Sequence, residues 1–194
     1  MTQVRERMGE SRMKIVYRAA ARKNVCIAAF VATAVLTLFL WKIDALLAGA
    51  GGRGYIYLQL AFTRGTFENI LSFWRSGSVD VLQTIQWVYF LYPASCAVLF
   101  SSSIAFFTQL RRGGEQITMA DLVIFSLPIA GMIAGWAAQI MIAMIFKGVA
   151  LSAPLIMAES VAAALSWAIF AISLVYLLRS YFLFRKEQKR SAGQ

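Results

Sequence analysis

Histidine is missing from all 194 residues, and the chain has only two cysteines, three prolines and nine acidic residues against nineteen basic ones. Without histidine there is no His-ligated haem, no imidazole general base and none of the commonest ligand for zinc or copper. The cysteines, Cys26 and Cys96, fall on different apolar runs at depths that differ by roughly 15 Å, from 1.5 Å of rise per residue and a hydrocarbon core ~30 Å thick. Disulfide geometry needs Cα atoms within about 7 Å, so no bridge within the chain is expected. Both cysteines read as small packing residues.

Other chemistry is equally sparse. No serine stands in a nucleophile motif with a base to activate it. There is no Walker loop, and the glycines between Gly49 and Gly54 sit in no strand–helix unit of the dinucleotide-binding kind. No cofactor, metal site or catalytic residue is expected.

What the chain has is apolar length. Hydrophobic residues make up 60% and charged residues 14%, where soluble domains carry ~25% charge. The apolar residues come in blocks that are hydrophobic around the whole helix circumference, the pattern of membrane spans. The expected fold is an all-α integral membrane protein. It has four transmembrane helices, at about 25–47, 86–108, 119–146 and 154–178, and a short amphipathic interfacial helix between the first and second. Residues 1–24 and 185–194 are basic tails, and 25–184 form the transmembrane domain. Met13, Val16, Tyr17 and Ala20 share one side of a possible surface helix, but a simple topogenic tail is the preferred reading. Ala48-Gly49-Ala50 resembles a signal-peptide cleavage site. The apolar run before it exceeds the ~7–15 residues of a signal core, and Lys42 and Asp44 intervene, so a retained helix is expected.

Local signals mark the ends. Ser78 and Ser152 are N-cap candidates, Pro154 suits a first turn, and Thr118 with Asp121 makes a capping box. In 66–76, Phe67, Ile70, Leu71 and Trp74 recur at i, i+3, i+4 and i+7 and form one apolar face. Eleven residues are too few to span. This helix is expected to lie in the interface plane with Trp74 pointing into lipid, its apolar face lying against lipid or the outer ends of the bundle. Phe67, Trp74 and Trp87 are the candidate interfacial anchors.

The net charge of +10 would suggest nucleic acid in a soluble protein. Here fourteen of the nineteen basic residues lie in the two tails, Arg179 counted with the second, and the 109–118 turn. That asymmetry places both termini in the cytoplasm, beside anionic headgroups. A bacterial inner (plasma) membrane is the expected location, and no nucleic-acid partner is expected.

Polar residues inside spans are the remaining candidates. Glu159 is the one acid well inside a span. It lies within two turns of the helix start, where it is expected to reach water. Gln139 is deeper and needs a partner on another helix. Gly131, Gly135, Gln139 and Ala143 recur every four residues, and Ala158, Ala162 and Ser166 form a similar small-residue stripe. These two stripes are expected to meet.

Three function classes fit. The preferred one is a non-enzymatic accessory, assembly or scaffold subunit that binds other membrane helices or a second copy of itself. The alternative is a small oligomeric transporter or channel, with Glu159 and Gln139 in its path and helices broken at Pro93 and Pro128. A lipid-acting integral-membrane enzyme is third, because its acids, Asp44, Glu68, Asp80 and Glu159, would have to cluster.

Overall fold

The computed structural model describes residues 13–48, 53–74, 78–112, 117–149 and 151–191. The first twelve residues, the core of the glycine-rich joint, the middle of the 109–118 turn and the side chain of the expected cap Ser78 lie outside this set. The described residues form helices and turns, with no strand among them.

Residues 13–20 form helix α1. It is followed by α2 (Lys23–Ala48), α3 (Tyr55–Gln59), α4 (Arg64–Ser72), α5 (Ser78–Arg112), α6 (Met119–Phe146) and α7 (Ala153–Ser191). Four of them, α2, α5, α6 and α7, are long and apolar enough to cross a membrane. The longest, α7, has 39 residues, which at 1.5 Å each is about 58 Å and well beyond the ~30 Å hydrocarbon core. It continues through the basic tail to Ser191 because neither glycine nor proline interrupts it.

The ends are set by local chemistry. Thr118 Oγ1 accepts the Asp121 N–H, and the Asp121 carboxylate accepts the Thr118 N–H at 2.8 Å, the reciprocal pairing that the spacing predicts. Ser152 Oγ accepts the Leu155 N–H at the start of α7, where Pro154 lacks no bond it would otherwise make.

Helix α5 is the hub: α2, α6 and α7 all pack on it, and α6 pairs with α7. The buried positions of α6 include Pro128, Gly131, Gly135, Ala138, Ile142 and Ile145. Those of α7 include Ile156, Glu159, Ala163, Ser166, Phe170 and Ser173. Both series alternate steps of three and four, or sum to seven over two steps, as antiparallel bundle helices do. This differs from the strict four-residue stripes read from the sequence. Four residues turn a helix by about 400°, so such a stripe drifts off the contact line. Accordingly Ala158 is exposed and Ala162 and Ala143 are half-buried, whereas Ser166 is buried.

Both internal prolines sit in continuous helices, and the neighbouring helix supplies bonds near each. Trp136 Nε1 on α6 donates to the Phe90 carbonyl, three residues before Pro93, at 2.8 Å. Ser101 Oγ on α5 donates to the Phe125 carbonyl, three residues before Pro128, at 2.8 Å. Proline removes a helical N–H and crowds the preceding turn, so carbonyls loosened there need partners where water is scarce.

At the end carrying the 109–118 turn, α1 is more than a tail. Tyr17 is buried against Ala21, Ala105, Leu122 and Phe125, with its ring centroid 5.2 Å from that of Phe125. Met13 and Val16 stay exposed.

At the opposite end, α3 and α4 fold over the bundle. Phe67, Ile70 and Trp74 are buried together with Leu47, Leu58, Leu82, Ile142 and Ile156. Of the two settings expected for this face, the bundle ends hold it, which corrects the reading of Phe67 and Trp74 as lipid-facing anchors. Trp74 is 8% exposed and donates its indole N–H to the Arg53 carbonyl at 2.9 Å, and Phe67 is fully buried. The apolar face of α4 found protein surface to cover, because the ends of α2, α5, α6 and α7 leave an apolar hollow beneath it. Trp87 is exposed.

Candidate functional site

Under this cap lies a cavity of about 260 Å³. Its walls come from the half of the bundle farther from the basic termini. Helix α2 contributes Thr37, Trp41 and Asp44, and α5 contributes Tyr89, Tyr92 and Pro93. From α6 come Gly135 and Gln139, and from α7 Ala163, Ser166 and Trp167. Helix α3 closes the end with Tyr55, Ile56 and Gln59. The cavity exists because α2 packs on α5 while α6 and α7 pair with each other, which leaves a cleft beside α5 between α2 and α7. The exposed side chains Trp41, Ile56 and Trp167 form its rim.

The floor is polar. Gln139 is 3% exposed, and its Oε1 accepts the Tyr55 hydroxyl at 2.6 Å. Gln86 Nε2 donates to the Gln139 backbone carbonyl at 3.2 Å. The partner of the Gln139 side chain is thus the short helix α3 and not another of the long helices. Tyr55 also stacks against Tyr89, with ring centroids 4.1 Å apart. Burial pushes the Tyr55 phenol well above its usual range, so it stays protonated and remains the donor in this pair. Asp44 accepts the Tyr55 backbone N–H, which ties α3 to the end of α2. Gln59, 7% exposed, also lines the cavity. The Tyr89 hydroxyl is buried without a partner among the described residues.

Glu159 lies one turn before Ala163 but is not part of the cavity wall. It is 0% exposed, which corrects the expectation that it reaches water. The reason is the 55–62 segment, which packs on the first turns of α7. Phe62 adopts φ 54° in a three-residue turn closed by the Thr63 N–H on the Ala61 carbonyl at 2.6 Å, a strained conformation for a bulky residue. That turn aims the Phe62 N–H at Ser160 Oγ, 3.0 Å away, and Ser160 Oγ donates to Glu159 Oε2 at 3.2 Å. Glu159 Oε1 has no partner among the described residues.

The glycine stripe lies at the junction of three helices. Ser166 Oγ donates to the Gly131 carbonyl at 2.8 Å. A Cβ on Gly131 would stand 3.0 Å from Ile169 Cγ2, and one on Gly135 would stand 3.0 Å from Pro93 and from Ser166 Oγ. These glycines therefore let α6 approach both α7 and α5.

The cysteines are both free, and the described residues hold no group of three or more acids or cysteines arranged for a metal ion. The structure brings Gln139, Gly135 and Ser166 to one cavity and leaves Glu159 behind its wall. Reading along the sequence missed Tyr55, Gln59 and the cavity role of Asp44. One signal was available: Tyr55 and Gln59 are four apart in YIYLQLAF, so a helix there presents both on one side.

No protein family, characterised protein or solved structure matches the chain.

Proposed function

We propose that this is a multi-pass protein of a cell membrane, in a bacterium the inner membrane, with both termini cytoplasmic. We take its role to be that of a non-enzymatic accessory, assembly or scaffold subunit that binds other membrane helices. The basic tails then lie beside anionic headgroups, and α3, α4 and Trp87 lie at the outer interface.

The observation that carries the reading is the setting of α2. It meets the other spanning helices mainly through α5, and little of its apolar window is buried. Ile27, Val31, Val35 and Leu38 are all exposed and form a ridge of i, i+4 and i+3 steps, the geometry by which one helix offers itself to another. A photoreactive residue in place of Val35 should give a discrete protein adduct in native membranes, either to a second copy or to another polypeptide. Adducts to lipid alone would remove the accessory reading.

The transporter alternative draws on the cavity that reaches Gln139 beside Pro93. It predicts solute flux in reconstituted vesicles that is lost on Gln139→Leu.

A further inference from the structure

We infer that the cavity between α2 and α7 is a binding site for an amphipathic organic cation, an ammonium group carried on an apolar or aromatic body. Three independent features support this assignment.

The first is an unsatisfied polar group on the cavity wall. Tyr89 lines the cavity and is 6% exposed. Its hydroxyl is buried without a hydrogen-bond partner among the described residues. A buried hydroxyl without a hydrogen bond is costly, and its oxygen is the negative end of a dipole that attracts a cation entering the cavity.

Charge is the second feature. Asp44 is the one ionisable carboxylate on the wall, and no lysine or arginine lines it among the described residues. Asp44 makes no ion pair among the described residues; it accepts the Tyr55 N–H. A phosphate or carboxylate headgroup would meet this group with repulsion and no counter-charge on the wall itself, whereas a cation meets attraction.

The third is the wall itself. Trp41, Tyr55, Tyr89, Tyr92 and Trp167 all face the cavity, and aromatic faces beside a carboxylate are how proteins hold ammonium groups without dehydrating a lone charge. Cation–π contact already occurs at the rim, where Lys42 Nζ sits 5.4 Å from the Trp41 ring centroid. The volume equals roughly nine waters at ~30 Å³ each, enough for a head and one ring, with any longer tail leaving past Trp41 and Trp167 toward lipid.

This inference rests on the membrane reading but not on a protein partner, so the cross-linking experiment and the one below can fail separately. The full chain is placed in nanodiscs of phosphatidylglycerol, which carries no ammonium, and titrated with radiolabelled benzyltrimethylammonium. Saturable binding is expected. Neopentylbenzene, in which carbon replaces nitrogen, should fail to displace the label. Asp44→Asn keeps the acceptor for Tyr55 and removes the charge, and Trp167→Leu removes a rim ring from an exposed position. Each should weaken binding at least tenfold, while the melting temperature stays close to that of the parent. Phosphatidylcholine added to the nanodiscs separates the sources of the ligand. Competition by it identifies a lipid headgroup as the occupant, and lack of competition identifies a free amphipathic amine. Absence of saturable binding, equal displacement by neopentylbenzene, or unchanged affinity in both variants would each overturn the assignment.

Discussion

Gly135→Leu should lower the melting temperature of the purified protein by about 6–12 °C, whereas Ala130→Leu on the same helix should leave it within a degree or two. The contrast follows from position. At Gly135 even a Cβ would stand 3.0 Å from Pro93 Cβ, Pro93 Cγ and Ser166 Oγ. Two of those atoms belong to a rigid ring on a helix backbone that cannot step aside. The remaining carbons of leucine then have to push α6 away from α5 and α7 together. Overpacking of this kind costs ~1–3 kcal/mol; the upper end, about 3 kcal/mol, applies here because backbones must separate, and each kcal/mol moves the midpoint by roughly 2–4 °C at this chain length. Ala130 is exposed, so the carbons that leucine adds there meet no neighbouring helix. Gly131→Leu should resemble Gly135→Leu, because its side chain would meet Ile169 and Phe170. Equal midpoints for the Gly135 and Ala130 variants would show that the three-helix junction is not where it is placed here.

The second large effect is expected at the cap. Phe67→Ala removes a fully buried ring from the cluster that joins α4 to Leu58, Leu82, Ile142 and Ile156. Losing a buried phenylalanine costs ~3–5 kcal/mol, more than a nine-residue helix such as α4 supplies by itself, since isolated helices of this length are marginal. Helix α4 should therefore open locally while the spanning helices hold. Amide exchange across Arg64–Ser72 should rise by ~100-fold or more, and exchange in α6 should change little. Trp87→Ala, at a side chain 63% exposed, should leave α4 protected. Unchanged exchange in α4 after Phe67→Ala would mean that this helix is held by something other than its apolar face.

The contrast between what could and could not be read from the sequence has a physical basis. The four long apolar helices were legible because hydropathy over some twenty residues is a sum that no single neighbour overrides. The α6 cap was legible because Thr118 and Asp121 bond within one turn. Glu159 was misplaced because its surroundings are non-local. Distance from the helix start suggested water, but a turn nearly a hundred residues earlier covers it through Phe62 and Ser160. Trp74 was misplaced for a related reason. An apolar helical face looks the same in sequence whether it meets lipid or protein, and only the hollow left by four helix ends decides. The small-residue stripes failed in detail at Ala158 and held at Ser166 because a four-residue repeat stays on a bundle contact for only about two steps. The cavity was not legible at all. It depends on α2 and α7 standing apart, and neither helix encodes that separation by itself.

The central claim is a four-span membrane protein whose basic ends share the cytoplasm. Paired reporters, one active only in the cytoplasm and one only outside, test it most directly when fused at the C-terminus, within 109–118 and beside Arg64. The account predicts cytoplasmic signals at the first two sites and an external signal at the third. An external signal from the C-terminus would contradict it.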